Sequence, residues 1–172
     1  MERVSFDATD LRRAFGTFLT GVTIVTTRDA AGVPRGMTAN SFTSVSLDPP
    51  LLLVCIDRGS SNIAAFEAAE HFAVNILDHA QAEVASTFAA RGIDRFATVD
   101  HRAASTGAPV LDQCLSWFDC TLHQRVAAGD HLILIGRVEA YATRATEPLG
   151  FCRGRFVRLE PVMEDAPRYR RA

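Results

Sequence analysis

The chain is predicted to be mainly β, an antiparallel barrel of six or seven strands with peripheral helices. Three observations carry this. Segments of strand character outnumber the helical ones. They do not alternate regularly with helices, which argues against a doubly wound parallel sheet. The two longest strand candidates meet at Gly129–Asp130, a natural turn pair.

Taken in order, Leu11, Phe15, Phe18 and Leu19 recur at helical spacing after a plausible N-cap at Asp7. "GVTIVTTRD" is β-branched and strand-like, and "AAGVPRG" is a turn-rich connection. "GMTANSFTSVSLD" and "LLLVCID" read as two further strands, separated by Pro49 and Pro50 because proline cannot donate to a ladder. "SNIAAFEAAE" reads as a short helix capped by Ser60 or Ser61. "HFAVNIL" is a strand. A second helix is expected after Asp78, with Gln81 three residues on and Val84, Ala85 and Phe88 on one face. Residues 91–113 read as loop. "SWFDCTLHQRVAA", "HLILIGRVEAYATR" and "RFVRLEP" close the chain as strands.

A length of 172 residues suits one domain, 1–172, with a core over about 8–161 and a tail over 162–172. The formal net charge of −2 argues against a nucleic-acid partner. The basic "PRYRRA" end reads as a solvated tail. All 18 basic residues are arginine, so lysine nucleophiles, Schiff bases and the P-loop lysine are excluded. No apolar run approaches the roughly 20 residues that span a bilayer, and the charged N-terminal stretch has no apolar leader-like core. The expected setting is cytoplasmic, with no membrane partner. Cys55, Cys114, Cys120 and Cys152 lack metal-ligand spacing and read as free thiols, so no metal site is expected.

The chemistry starts from an unusual stretch. Thr38, Ser41, Thr43, Ser44 and Ser46 crowd into nine residues ahead of the apolar run Leu51–Ile56. No nucleophile elbow, zinc-protease helix or dinucleotide glycine loop is present. What remains is a set of neutral donors beside strands, and Arg58 ahead of Ser60, Ser61 and Asn62 at a helix start. Such donors suit the polar edge of a flat heteroaromatic ring, and a phosphate.

On "FLTGVTIVTT", "GMTANSFTSVSLDPPLLLVCID", "SSN", "FAVNIL", "GDHLILIGRV" and "GRFVRL", in that order, the sequence resembles the flavin reductase family with the FMN-binding split-barrel fold. These are small NAD(P)H:flavin oxidoreductases that partner two-component flavin monooxygenases. The resemblance spans roughly residues 8–161. It implies FMN or FAD as cofactor, NADH or NADPH as electron donor, a homodimer, and a monooxygenase partner. Thr38, Ala39, Asn40 and Ser41 match the segment that meets the flavin ring and ribityl chain. Cys55, Ile56 and Asp57 match the adjoining strand. Ser60, Ser61 and Asn62 match the phosphate-side motif, and Phe88 and Arg91 the helix end and loop that close over the cofactor. Gly129, Asp130 and His131 match the family's G-D-H trio near the nicotinamide, where His131 is the catalytic candidate. Arg153 and Phe156 match a C-terminal segment beside the same cleft. Phe151 and Cys152 depart from the tyrosines often found before the Arg-Gly pair, and Asn62 from a frequent threonine.

Two rival readings share the fold. A pyridoxamine-phosphate-oxidase-like enzyme would want more cationic phosphate ligands. A flavin- or haem-binding carrier or sensor would turn nothing over. His71, His79, His101 and His123 have no expected role.

Overall fold

A computed structural model of the chain describes residues 7–160. The expected tail over 162–172, with its basic end, lies outside the described residues, as do residues 1–6. Helix α1 (Ala8–Phe15) starts at Asp7, whose carboxylate accepts the N–H groups of Thr9 and Asp10 at 2.7 and 2.9 Å. Short α2 (Ile63–Ala68) and α3 (Ala82–Ala89) interrupt a run of strands. These are β1 (Thr20–Gly21), β2 (Thr23–Arg28), β3 (Pro34–Ala39), β4 (Thr43–Leu47), β5 (Pro50–Asp57) and β6 (His71–Ile76). They continue with β7 (His101–Ala103), β8 (Pro109–Leu111), β9 (Ser116–Ala128), β10 (His131–Thr143), β11 (Leu149–Cys152) and β12 (Arg155–Arg158).

Seven strands form one antiparallel sheet in the order β3-β2-β6-β9-β10-β5-β4. The two edge strands, β3 and β4, are consecutive in the chain, with only residues 40–42 between them. Four Cα steps reach about 14 Å at most, whereas the edges of a flat seven-stranded sheet would lie about 29 Å apart. The sheet must therefore curl until its edges nearly meet. The result is a barrel split between β3 and β4. Strands β1, β11 and β12 form a second small sheet, and β7 and β8 a third.

The hydroxyl-rich stretch is thus two strands, not the one its composition suggests. Its first half pairs with β2, its second with β5. Residues 91–113 are not all loop either, since β7 and β8 pair within them. Helix α1 ends at Phe15, so Phe18 and Leu19 lie past it. Neither Ser60 nor Ser61 caps α2; Asn62 does, without a side-chain cap bond. Helix α3 begins only after a tight turn in which the Gln81 N–H donates to the Asp78 carbonyl at 2.9 Å. The Gln81 side chain still reaches back to the Asp78 N–H at 3.0 Å, but the Asp78 carboxylate takes the Ala80 N–H instead.

Inside the curl, Val25, Val54, Ile56, Phe66, Phe72 and Leu134 form the main core, all without exposed surface. Ile24, Leu77, Ala85, Phe88 and Leu111 form a second core under α3. Strand β2 serves both cores, which is why Thr23–Thr27 is buried on both faces and cannot show simple alternation.

The long β9–β10 hairpin changes register between Ile135 and Gly136. A Cβ on Gly136 would lie 2.5 Å from Phe72 Cζ and 2.8 Å from Cys120 Cβ. Gly136→Ala is expected to destabilise the fold by about 1–3 kcal/mol through overpacking. Urea unfolding measures this, and an unchanged midpoint would mean that the Phe72 ring turns aside at no cost.

Candidate functional site

The site is built where the chain crosses between β3 and β4. Ser41 Oγ donates to the Cys55 carbonyl at 3.1 Å and accepts the Cys55 N–H at 2.9 Å. One hydroxyl thus replaces a strand partner for both backbone groups of that residue. Pairing of β5 with β4 covers only residues 50–53, so beyond Ser41 the β4-side edge of β5 is open. Cys55 and Asp57 turn their backbone groups to this open edge, and Ile56, which pairs with Leu132, turns away. The N–H groups of Asn40 and Ser41 belong to no strand ladder, nor to any turn or loop bond among the described residues. Ser41 takes both groups of Cys55 and the Asp57 carbonyl accepts the Ser60 N–H at 3.0 Å, so the crossing offers a row of neutral backbone donors, the N–H groups of Asn40, Ser41 and Asp57.

Side chains near it are mostly committed. Thr38 Oγ1 donates to the Ala85 carbonyl at 2.6 Å and ties β3 to α3. The Ala39 carbonyl accepts the Thr23 hydroxyl at 2.8 Å. Ile56 and Phe88 have no exposed surface, so their side chains present nothing to a ligand. Cys55 is half-buried, and that burial pushes its thiol above the ordinary range despite the Ser41 bond.

Beside the crossing lies a cavity of about 500 Å³, lined by Arg35, Gly36, Ser61, Asn62, Gly92, Asp94, Arg95 and Phe96 among others. Asn62 is nearly buried and donates to the Gly36 carbonyl at 2.8 Å. It is an anchor for the α2 start, not a ligand arm. Ser60 accepts the Asn62 N–H at 3.2 Å, while Ser61 is exposed at the cavity. Arg95 donates to the Ala90 carbonyl through Nε and Nη2 at 2.9 and 2.6 Å, and to the Gly36 carbonyl through Nη1 at 2.8 Å. A guanidinium carries five N–H donors, so two remain. Burial, and then the neighbouring charge of Arg91, push the pKa of Arg95 below the usual arginine range. Arg35 and Arg95 both line this cavity with the Ser61 hydroxyl, a setting for a phosphate.

The Gly129–Asp130–His131 turn closes the β9–β10 hairpin, with Gly129 at φ 60°. His131 stands opposite Asp57 in the β10–β5 register, and the Arg58 N–H donates to the Asp130 carbonyl at 3.0 Å. The trio is therefore docked on the loop that carries Ser60 and Ser61. The His131 ring nitrogen Nδ1 lies 2.7 Å from the Asp130 carboxylate, and this bond holds the Asp130 carboxyl below its usual range. Arg153 lies in the β11–β12 turn, where its N–H donates to the Gly16 carbonyl at 2.7 Å. Phe156 packs on Phe151, ring centroids 5.7 Å apart.

The sequence reading thus brings together residues 38–41, 55–57, 60–62 and 129–131 at one end of the barrel. It missed Arg95, hidden in a segment read as loop. The signal was "RGIDR", two arginines straddling a turn. Phe151, where a tyrosine was expected, packs against the second core, and the Cys152 thiol points at the carbonyls of Gly16 and Thr17, both at 3.8 Å. No group of His, Cys, Asp and Glu among the described residues has the makings of a metal site.

A family described as "flavin reductase like domain" matches residues 15–160. The reductase subunit of a stachydrine N-demethylase from Rhizobium meliloti is 50% identical over 149 residues, 87% of this chain and 65% of that protein. The reductase component of a flavin-dependent trigonelline monooxygenase from Acinetobacter baylyi is 50% identical over 86% of this chain and 47% of its own length. The chain thus spans about half to two thirds of the length of these curated relatives. Among solved structures, an NADH:FAD oxidoreductase of Streptomyces globisporus with NAD and FAD fragments superposes with a TM-score of 0.85 at 41% identity, covering 91% of this chain and 94% of that one. A match over most of the chain, in sequence and in backbone alike, assigns this protein to the flavin reductase like domain family.

Proposed function

We propose that this chain is an NAD(P)H-dependent flavin reductase that hands reduced flavin to a partner monooxygenase. The observation that carries the reading is the convergence, at one end of the barrel, of an open polar strand edge, an arginine-lined cavity and the His131 turn. The names of the relatives point the same way. A cytoplasmic setting, where reduced nicotinamide is supplied, follows from this reading, and no helix among the described residues is long and apolar enough to cross a membrane.

The residues present fit a flavin. The free N–H groups of Asn40, Ser41 and Asp57 suit the ring's polar edge. Ser61, Arg91 and the two unspent N–H groups of Arg95 suit its phosphate. A bound flavin supplies the hydride acceptor, and the nicotinamide supplies the donor. The chain's part is to hold both rings at reacting distance and to exclude competing water. No protein acid is needed for that first step, which accounts for a site built of neutral donors. His131, tied to Asp130, is placed to seat the dinucleotide instead of exchanging protons with it.

The reading includes a homodimer. No residue of α1 is buried, although Leu11 and Phe15 on it, and Phe18 and Leu19 after it, are large and apolar. An isolated eight-residue helix is unstable in water, so its apolar face calls for a cover, and a second copy is the occupant we assign. Leu47 on edge strand β4, 81% exposed, adds to the surface to be covered.

Purified protein mixed with NADH or NADPH and excess FMN or FAD consumes the nicotinamide absorbance; no consumption with either donor leaves a flavin carrier. In the same assay His131→Ala lowers kcat/KM for the nicotinamide while flavin affinity holds; wild-type kinetics would reduce His131 to a turn residue.

Ser61→Ala weakens flavin binding by about 1 kcal/mol or more with an unchanged melt, since Ser61 makes no bond that the fold depends on. Ser41→Ala lowers both, because it unpins the crossing. Fluorescence titrations and thermal melts separate the two; unchanged dissociation constants for both serines count against the proposed pocket.

Light scattering is expected to give the mass of a dimer at micromolar concentration, and Phe15→Asp to shift it to monomer. A monomeric wild type removes the assignment of a second copy to α1.

A further inference from the structure

The cavity beside α2 carries a cation without a counter-charge. Two arginines line it. Arg35 is paired, with Nε and Nη2 at 2.9 and 2.8 Å from the Asp29 carboxylate. Arg95 is paired with no carboxylate among the described residues. Asp94, next to it in the chain, accepts the Phe96 N–H at 3.0 Å instead. Arg95 is half-buried and spends three N–H groups on the neutral carbonyls of Ala90 and Gly36. Carbonyls solvate a guanidinium but leave its charge uncompensated. Two N–H groups are left, one on each terminal nitrogen.

What fixes this group is a shared acceptor. The Gly36 carbonyl takes Arg95 Nη1 and Asn62 Nδ2, each at 2.8 Å, which fills both of its lone pairs. Among the described residues, the Arg95 bond is the one hydrogen bond that joins residues 91–96 to a strand. Asn62 is buried, whereas Ser61 beside it is exposed at the cavity. One carbonyl therefore sets the spacing between the turn that carries Arg95 and the loop that carries Ser61. An anion bound between them meets donors already in place.

We propose that Arg95 selects flavins that carry a phosphate over riboflavin, and that Asn62 is the positioning residue that holds Arg95 for this task through the Gly36 carbonyl. This rests on the flavin-binding part of the reductase reading. The ring end of the site cannot make the choice, because its donors are neutral and riboflavin, FMN and FAD share one ring. The phosphate end can, because a phosphate is the counter-charge that Arg95 lacks. Free inorganic phosphate offers the same chemistry without the ring, and riboflavin offers the ring without the phosphate.

The test measures binding to the full chain with no nicotinamide present. The wild type is expected to bind FMN at least about tenfold more tightly than riboflavin, the effect of a charge-assisted hydrogen bond. Arg95→Gln brings FMN affinity close to that of riboflavin and leaves riboflavin affinity as it was, so riboflavin reports that the ring site is intact. Arg95→Lys, which keeps the charge but not the planar fork, recovers part of the preference. Asn62→Ala lowers FMN affinity in the wild-type background but not in Arg95→Gln, the coupling that a positioning role requires. Inorganic phosphate competes with FMN and not with riboflavin, which separates the flavin's own phosphate from a free ion bound elsewhere. A wild type that binds riboflavin as tightly as FMN, or an Arg95→Gln that weakens both alike, overturns selection by Arg95. An Asn62→Ala effect of equal size in both backgrounds overturns the positioning role. The reductase reading fails separately. A protein that prefers FMN but oxidises no nicotinamide loses that reading and keeps this one; a reductase whose KM for riboflavin equals that for FMN does the reverse.

Discussion

Strands β3 and β4 are the two edges of one seven-stranded sheet, yet only three residues join them. That short tether forces the sheet to curl, and the curl needs a way to finish at the seam. Ser41 provides it by bonding both the N–H and the carbonyl of Cys55. A regular ladder across the seam would close the barrel and leave no polar backbone exposed. A single hydroxyl closes it at one point and leaves the rest of the β5 edge open. The proposed binding surface is the part of the seam that the sheet does not use.

The wall behind that surface is held by polar bonds that converge on β3. Asn62 and Arg95 both donate to the Gly36 carbonyl, at 2.8 Å each. Thr38 bonds the Ala85 carbonyl on α3 at 2.6 Å. Each such bond contributes about 1 kcal/mol in a typical protein, and each lost partner would leave a buried group unpaired. Gly36 itself has no room for a side chain, because a Cβ would come within 2.8 Å of the Phe88 ring. So β3 is pressed onto α3 on one side and tied to α2 and the 91–96 turn on the other. The cavity between them has fixed walls, as a ligand site held at ring-stacking tolerance requires.

Arginine carries all the positive charge at the cavity beside α2. Its planar fork can spend some donors on backbone carbonyls and keep others for a ligand, as Arg95 does. An ammonium group would give up this division of labour. The nearness of Arg91 to Arg95 costs like-charge repulsion, which an anion bound there would relieve. In the proposed flavin site, charge would thus meet the phosphate, while the ring-facing part is neutral.

The sequence by itself determined the β class, the Asp7 cap, the long β9–β10 hairpin and the residues of the Gly129–His131 turn, because these depend on local spacing and turn chemistry. It also marked residues 38–46 as special, by their density of hydroxyls. It could not say that this segment is two strands on opposite edges. Strand pairing is a long-range choice, and nothing local distinguishes a bend that continues one strand from a crossing between two. For the same reason Asn62 and Phe88 read as ligand contacts, and only packing turned the first into an anchor and the second into core. Arg95 was decided by tertiary structure too, since its role depends on a carbonyl brought in from Gly36.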